Sequence, residues 1–408
     1  MSSKEQLLQR IVDLSSNIEQ HQDIIRTLQI RRSDARRALN ALSDPVARLP
    51  VEVASDIFRL CVPDDQEYAQ PDHRMAPLLL LRVCHQWRAI ALARSALWAT
   101  IELDMSRVEQ AKQLTSWLDR AGNHPLSLCL HNFLKHENHT NMKQRWCQLR
   151  TLELQNCPID RPFRDMLPSA TCLHTLKLFP TSSYSTFADL IKTLRCVPSI
   201  VHLVLGFVVV EDSDEEPLDG FLTLPSLRHL YLGRSDQAPC TTQLLKHLTL
   251  PVLEDLYIPE FDISEDALMA FLARSSPPLR SLHIAADSLE EMQNEYLRLV
   301  PSLRDLTLEC RSYSYAFSSC RKIVDFLPNL RHLTVLECFL YEYRQLTMVL
   351  AEHPLDHPLS SLRVVFPYES SIRVPAKEHL VTLRQLAQDR RLFIHVGPKE
   401  LNYVTSQE

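Results

Sequence analysis

The sequence predicts an α/β fold: a long N-terminal helix, a small helical module, then a solenoid of parallel strands and returning helices. Three observations carry this expectation. Residues 4–42 place apolar side chains alternately three and four apart, with no Pro or Gly before Pro45. Between Leu149 and Val364 the phrase L-x-x-L-x-L, with Ile or Val at some positions, recurs nine times at intervals of 24 to 29 residues. Its starts are Leu149, Leu173, Ile200, Leu227, Leu253, Leu279, Leu303, Leu330 and Leu359. A proline stands one or two residues before the phrase in seven repeats (Pro198, Pro225, Pro251, Pro278, Pro301, Pro328 and Pro358).

Residues 1–44 form the first segment. Leu7, Ile11, Leu14, Ile18, Ile25, Leu28, Ala35, Leu39 and Leu42 fall on the a and d sites of successive heptads, with lapses at His21 and Arg32. One continuous helix of roughly ten turns is expected. It reads as a dimerising or partner-binding coiled coil, or as an amphipathic helix that folds back or projects. Oligomerisation through 4–42 is open but not the favoured reading, because two sites of the seam are polar. Pro45 disfavours the helical conformation of Asp44 and ends the helix.

Residues 45–104 form the second segment. Pro50 suits a first helical turn, and Val53, Ile57 and Leu60 follow on one face until Pro63. A second helix is expected from about Pro77 to Arg94, with Leu79, Val83, Trp87 and Ile90 on one stripe. The order Leu49-Pro50-x-Glu52…Ile57-Phe58, then Val83-Cys84-x-x-Trp87-Arg88, then Leu97-Trp98 resembles the F-box, a small three-helix module. The gap from Leu49-Pro50 to Val83-Cys84 is longer than in compact members, so F-box-like describes it better. With the leading helix and the leucine phrases, the chain is similar to the expanded F-box-like family of mushroom-forming fungi. The resemblance implies docking onto the Skp adaptor of a cullin–RING ubiquitin ligase. It implies adaptor contact through Leu49, Pro50, Ile57 and Phe58, with Val83 and Cys84 near that surface and Trp87 and Trp98 in the core. The plainer alternative for 50–94 is a helical cap over the open end of the solenoid.

Residues 105–398 form the third segment. A leucine phrase with a period of 20–29 residues is the pattern of leucine-rich repeats. Such repeats build a horseshoe with parallel strands concave and helices convex. A degenerate leading repeat is expected first: a short strand at Ile101–Leu103, a helix over Val108–Leu118, and a strand over Leu126–Leu130. Each later phrase is a strand, entered through a proline that fixes φ and cannot donate a hydrogen bond. Returning helices are expected at Phe187–Cys196, Gln243–Leu248, Glu265–Arg274, Met292–Leu299, Ile323–Leu327 and Gln345–Ala351. Cys157 and Cys338 stand where a small polar group bonds the turn after the strand. A helix over Glu378–Asp389 and a strand over Leu392–Val396 close the array. Gly397-Pro398 breaks the order, and the tail 399–408 reads as mobile.

Composition narrows the function. In 408 residues the net charge is −6, which gives no electrostatic case for nucleic acid or an acidic membrane. Only five glycines occur, with no phosphate-cradling loop and no G-x-S-x-G phrase. Eleven cysteines without a C-x-x-C read as reduced thiols of the cytosol or nucleus. The N-terminus lacks the apolar run of a secretory signal, and no apolar run reaches the ~18 residues a membrane span requires. Cys129, His131, His136 and His139 cluster, but their spacing matches none of the usual zinc pairs. His353 and His357 are separated by Pro354, which suits a loop. The acidic run 211–216 reads as a solvated loop, with docking of a basic partner as the alternative. No Ser/His/Asp or Cys/His arrangement emerges from spacing, so no catalytic residue, metal or cofactor is assigned.

The stronger candidate lies between the leucines. Side chains alternate along a strand, so the residue after the second leucine of each phrase faces away from the core. That position gives Glu153, Lys177, Val204, Tyr231, Tyr257, His283, Thr307, Thr334 and Arg363. The residue before that leucine adds His229, Asp255, Ser281, Asp305 and His332. Tyr231, Tyr257, His283, His229 and Asp255 are the expected target-binding residues, since aromatics with polar tips anchor interfaces. The plainer alternative is that they shield neighbouring strands. The sequence therefore predicts a non-catalytic substrate-recognition subunit of a Skp–cullin–F-box ligase that binds an unknown target protein. The alternative is a ligase-independent leucine-rich-repeat scaffold.

Overall fold

The heptad spacing of the first segment becomes one unbroken helix, α1 (Ser3–Ser43). The computed structural model describes residues 3–43, 46–62, 68–132, 145–159, 161–179, 186–206, 220–233, 240–259, 263–286, 295–310, 326–336, 346–347, 350, 358–366 and 375–406. The chain divides into two compact units: residues 1–102 with 112–124, and residues 103–111 with 125–408. Every described side chain of α1 is exposed. Its described large apolar side chains keep between 53% and 72% of their surface in solvent. None of them is covered by a fold-back onto the helical module.

In the first unit, α2 (Val51–Leu60) begins at Pro50, whose ψ of 145° marks the N-cap. The face that carries Val53, Ile57 and Leu60 is the exposed one, while Ala54, Ser55 and Phe58 are buried. On the buried face Phe58 meets Trp87 with ring centroids 4.9 Å apart. The expected second helix is two helices, α3 (Leu80–Val83) and α4 (His85–Ala93). Cys84 separates them with an extended backbone, and its thiol accepts a hydrogen bond from the Trp87 N–H at 3.4 Å. That is an N-cap role, satisfying a donor the helix start leaves orphaned. Leu79 and Val83 are accordingly exposed, and only Ile90 of the expected stripe is buried.

Trp98 is fully buried and donates its indole N–H to the Ala91 carbonyl at 2.9 Å. Helix α5 (Val108–Ala121) was expected to open the array. Its residues from 112 onwards belong to the first unit instead. Trp117 packs edge-on against Trp98 at 4.9 Å, and the Arg120 guanidinium lies 4.5 Å from the Trp98 ring centre. Burial, with Arg88 nearby, pulls the Arg120 pKa below its ordinary value.

The second unit is a ladder. Its strands are β1 (Thr100–Asp104, whose first three residues belong to the first unit), β2 (Leu126–His131), β3 (Leu149–Gln155), β4 (Thr175–Phe179) and β5 (His202–Leu205). They continue as β6 (Leu222–Thr223), β7 (His229–Leu232), β8 (Leu248–Thr249), β9 (Asp255–Ile258) and β10 (Ser281–Ala286). The last are β11 (Asp305–Cys310), β12 (His332–Leu336), β13 (Ser361–Phe366) and β14 (Phe393–Pro398). All but β6 and β8 join one twelve-stranded sheet in chain order, and those two pair separately. Each pairing from β2 to β14 is parallel. The second leucines run in register from Leu152 through Leu176, Leu203, Leu230, Leu256, Leu282, Leu306 and Leu333 to Leu362.

Those leucines, the residues two positions after them, and every first apolar position except the half-buried Leu359 are buried. Each burial is worth roughly 1.5–3 kcal/mol before chain entropy is charged against it. Backbone bonds bind one repeat to the next at the strand entry. The Glu254 N–H donates to the Arg228 carbonyl at 2.8 Å, Arg280 to Glu254 at 2.7 Å, and Arg304 to Arg280 at 2.8 Å.

The strand exits explain two further residue types. The Cys157 thiol donates to the Leu130 and Gln155 carbonyls at 3.4 and 3.2 Å, as expected of that position; Cys338 lies outside the described residues. Asn132 and Asn156 turn the chain with φ of 51° and 55°, a conformation Asn tolerates better than most residues. Gly206 and Gly233 meet where β5 and β7 end. A Cβ on Gly233 would lie 3.0 Å from the Gly206 Cα, so any larger residue there would push the two strand ends apart by a few tenths of an ångström.

Helices over Phe187–Arg195, Cys240–His247 and Glu265–Ser275 return between strands. The expected helix at Met292–Leu299 is, in its described part, a 3-10 turn over Glu295–Leu299. Most of the helices expected at 323–327 and 345–351 falls outside the described residues. The closing helix is Lys377–Arg390, and β14 extends through Gly397 to Pro398 rather than breaking there. The tail is not free over 399–406. Asn402 donates to the Ile394 carbonyl at 2.9 Å and accepts from the Val396 N–H at 3.1 Å, Arg384 donates to the Val404 carbonyl at 2.7 Å, and Val404 is buried. Among the described residues no helix is long and apolar enough to cross a membrane.

Candidate functional site

The register that stacks the leucines also stacks what lies between them. Val204, Tyr231, Tyr257, His283, Thr307 and Thr334 occupy one row across consecutive strands. Tyr231 and Tyr257 stack with ring centres 4.0 Å apart and planes 7° apart, and Tyr257 meets His283 at 4.2 Å and 42°. Strand spacing alone sets neighbours about 4.8 Å apart, so the rings close most of the remaining gap. Tyr231, at one end of this stack, is 42% exposed, while Tyr257 and His283 are half-buried. Aromatic pairs of this kind add about 0.5–1.5 kcal/mol beyond their buried area. The stack is thus a pre-ordered apolar ridge with polar tips.

The neighbouring row is ionic and imidazole-rich. His202, His229, Asp255, Ser281, Asp305 and His332 align. His202 and His229 stack at 4.0 Å and 11°, and the ring of His174, one residue before the row's Thr175, lies 5.9 Å from His202. His229 Nδ1 contacts Asp255 Oδ2 directly. His332 Nε2 lies 3.8 Å from Asp305 Oδ1. Burial pulls the His202 pKa below its ordinary value, His229 and His174 adding to the effect and Asp255 opposing it.

Two carboxylates on this face are buried, and each has neighbours that hold it. Glu153 accepts from Lys177 Nζ at 3.1 Å and from Gln155 Nε2 at 2.6 Å. Glu309 lies 3.4 Å from His283 Nε2. Burial lowers the His283 pKa, against the opposing pull of Glu309. A buried charge without such partners would be strongly unfavourable. At the strand entry Glu254 bridges Arg228 and Arg280, the second at 3.0 Å.

All five expected target-binding residues therefore sit together: Tyr231, Tyr257 and His283 on one row, His229 and Asp255 on the next. The sequence reading missed His202, although it holds the same place in its phrase as His229. In the helical module Leu49, Pro50, Ile57 and Val83 are exposed and Cys84 half-buried. Phe58 is fully buried against Trp87 and holds α2 to α4 instead of facing a partner. Cys129 Sγ and His131 Nε2 are 3.6 Å apart. His136, His139, His353, His357 and the acidic run 211–216 lie outside the described residues. No protein-family model matches the chain, and no curated protein matches it either.

Proposed function

We propose that this protein is the substrate-recognition subunit of a Skp–cullin–F-box ubiquitin ligase and performs no bond chemistry itself. The ladder is read as a leucine-rich-repeat horseshoe, strands concave and helices convex. The single observation that carries a recognition role is the in-register stack of Tyr231, Tyr257 and His283, flanked by His229 and Asp255. A rigid aromatic ridge beside a histidine–aspartate pair has the composition of an interface centre: little side-chain freedom remains to be lost on binding. The ligase assignment rests on the F-box-like order over 49–98, supported by the exposure of Leu49, Pro50, Ile57 and Val83. Holding a target beside the conjugating machinery raises its effective concentration there. The site of action would be cytoplasmic or nuclear.

Titration of the purified full-length chain with a Skp adaptor tests this. A stable complex is expected, and Leu49→Ala with Pro50→Ala weakens it by at least about tenfold, the ratio that 1.4 kcal/mol represents. Failure of the wild type to bind, or unchanged affinity in the double variant, leaves the ligase-independent scaffold as the reading.

A further inference from the structure

We propose that α1 pairs with α1 of a second copy as an antiparallel two-stranded coiled coil, its two-fold axis passing between positions 26 and 27. The helix is continuous through both polar lapses of its seam, and its described side chains are all exposed. At about 60 Å long, a helix draws most of its stability from packing its apolar face. Within its own unit nothing covers Ile11, Leu14, Ile18, Ile25, Leu28, Leu39 or Leu42.

The seam itself specifies the partner. In heptad terms Ile11, Ile18, Ile25, Arg32 and Leu39 are a sites, and Leu14, His21, Leu28, Ala35 and Leu42 are d sites. Antiparallel pairing sets a against d. In the proposed register Ile11 faces Leu42 of the second copy, Leu14 faces Leu39, Ile18 faces Ala35 and Ile25 faces Leu28, each layer occurring twice. The two lapses then meet each other: the Arg32 guanidinium donates towards the His21 imidazole of the second copy. One heptad away in either direction, Arg32 is buried against Leu14 or Leu28 and His21 against Ile25 or Leu39. Only the first register keeps apolar layers apolar.

Charge decides the direction. Asp23 and Asp34 are occupied within the helix by Arg26 at 3.5 Å and Arg37 at 3.2 Å. What remains is mixed and nearly balanced in the first half (Lys4, Glu5, Arg10, Asp13, Glu19) and purely basic in the second (Arg31, Arg32, Arg36). A parallel pair suits Ile at a and Leu at d, but it stacks Arg32 on Arg32 and sets Arg31 beside Arg36 on both flanks. The antiparallel pair separates the basic halves and brings Glu19 to the flank that carries Arg36. The helix dipoles also oppose favourably.

Light scattering of the full chain at tens of micromolar is expected to give about twice its 47.1 kDa. Ile18→Glu with Ile25→Glu should return the monomer mass, raising the dissociation constant at least about a hundredfold, while Ser16→Glu on the outer face keeps the dimer. Benzoylphenylalanine at position 14, in mixed isotope-labelled copies, should crosslink near position 39 of the other copy. A monomeric wild type, a dimer that survives the double charge substitution, or crosslinks near position 14 would each overturn the proposal.

Discussion

Ile18 in α1 and Ile284 in β10 are the same residue, yet one leaves 56% of its surface in water and the other none. Both belong to regular apolar patterns. The ladder repeats its pattern about every 26 residues, so each strand finds an identical face on the next one, within the same chain. The pattern of α1 occurs once, and its complement is another α1. A periodic apolar signal in a sequence therefore states that a surface will be covered; the number of times it recurs tells whether the cover lies in the same chain.

The largest expected effect would break the comparison on the ladder side. Leu256→Ala removes a buried side chain from a central repeat and should cost about 2–5 kcal/mol in denaturant unfolding. Ile25→Ala in α1, measured at concentrations where the chain is monomeric, should leave the midpoint of the ladder within about 0.5 kcal/mol of wild type, as for other exposed positions. Equal losses in the two variants would mean that α1 is covered within its own chain.

A smaller effect sharpens the comparison between the two faces of the ladder. The stacked leucines do not titrate, whereas the outer face holds His202 and His283, both pulled below the ordinary histidine value of 6.5 by burial. The folded chain then resists protons that the unfolded chain accepts. Stability is full above about 6.5, declines as the pH falls through that value, and levels off once the folded pKa is passed. Thermal unfolding from pH 7.5 to 5 should show a shallow decline, and His283→Asn should flatten it. A decline that steepens in the variant would contradict the assignment.

The strand ladder was legible because leucine identity and period survive in every repeat, and the aromatic stack followed from alternation alone. What escaped depends on contacts that spacing does not encode. The Phe58–Trp87 contact buries a residue that the resemblance set on the adaptor surface, Cys84 interrupts what reads as a single helix by capping the second, and Asn402 ties down a tail that looks unstructured in composition. His202 was visible in principle, and its weight became clear only when His229 was found stacked on it.

The central claim is that the ridge of the ladder, and not its core or the helical module, holds the target. The most direct test is quantitative capture by the adaptor-bound full chain, wild type against Tyr231→Ala with Tyr257→Ala. The account predicts that proteins enriched by the wild type are lost at least about thirtyfold, the loss expected when interface anchors worth 2 kcal/mol are removed, while adaptor affinity and unfolding midpoint stay in place. Undiminished capture of the same proteins by the double variant would contradict it.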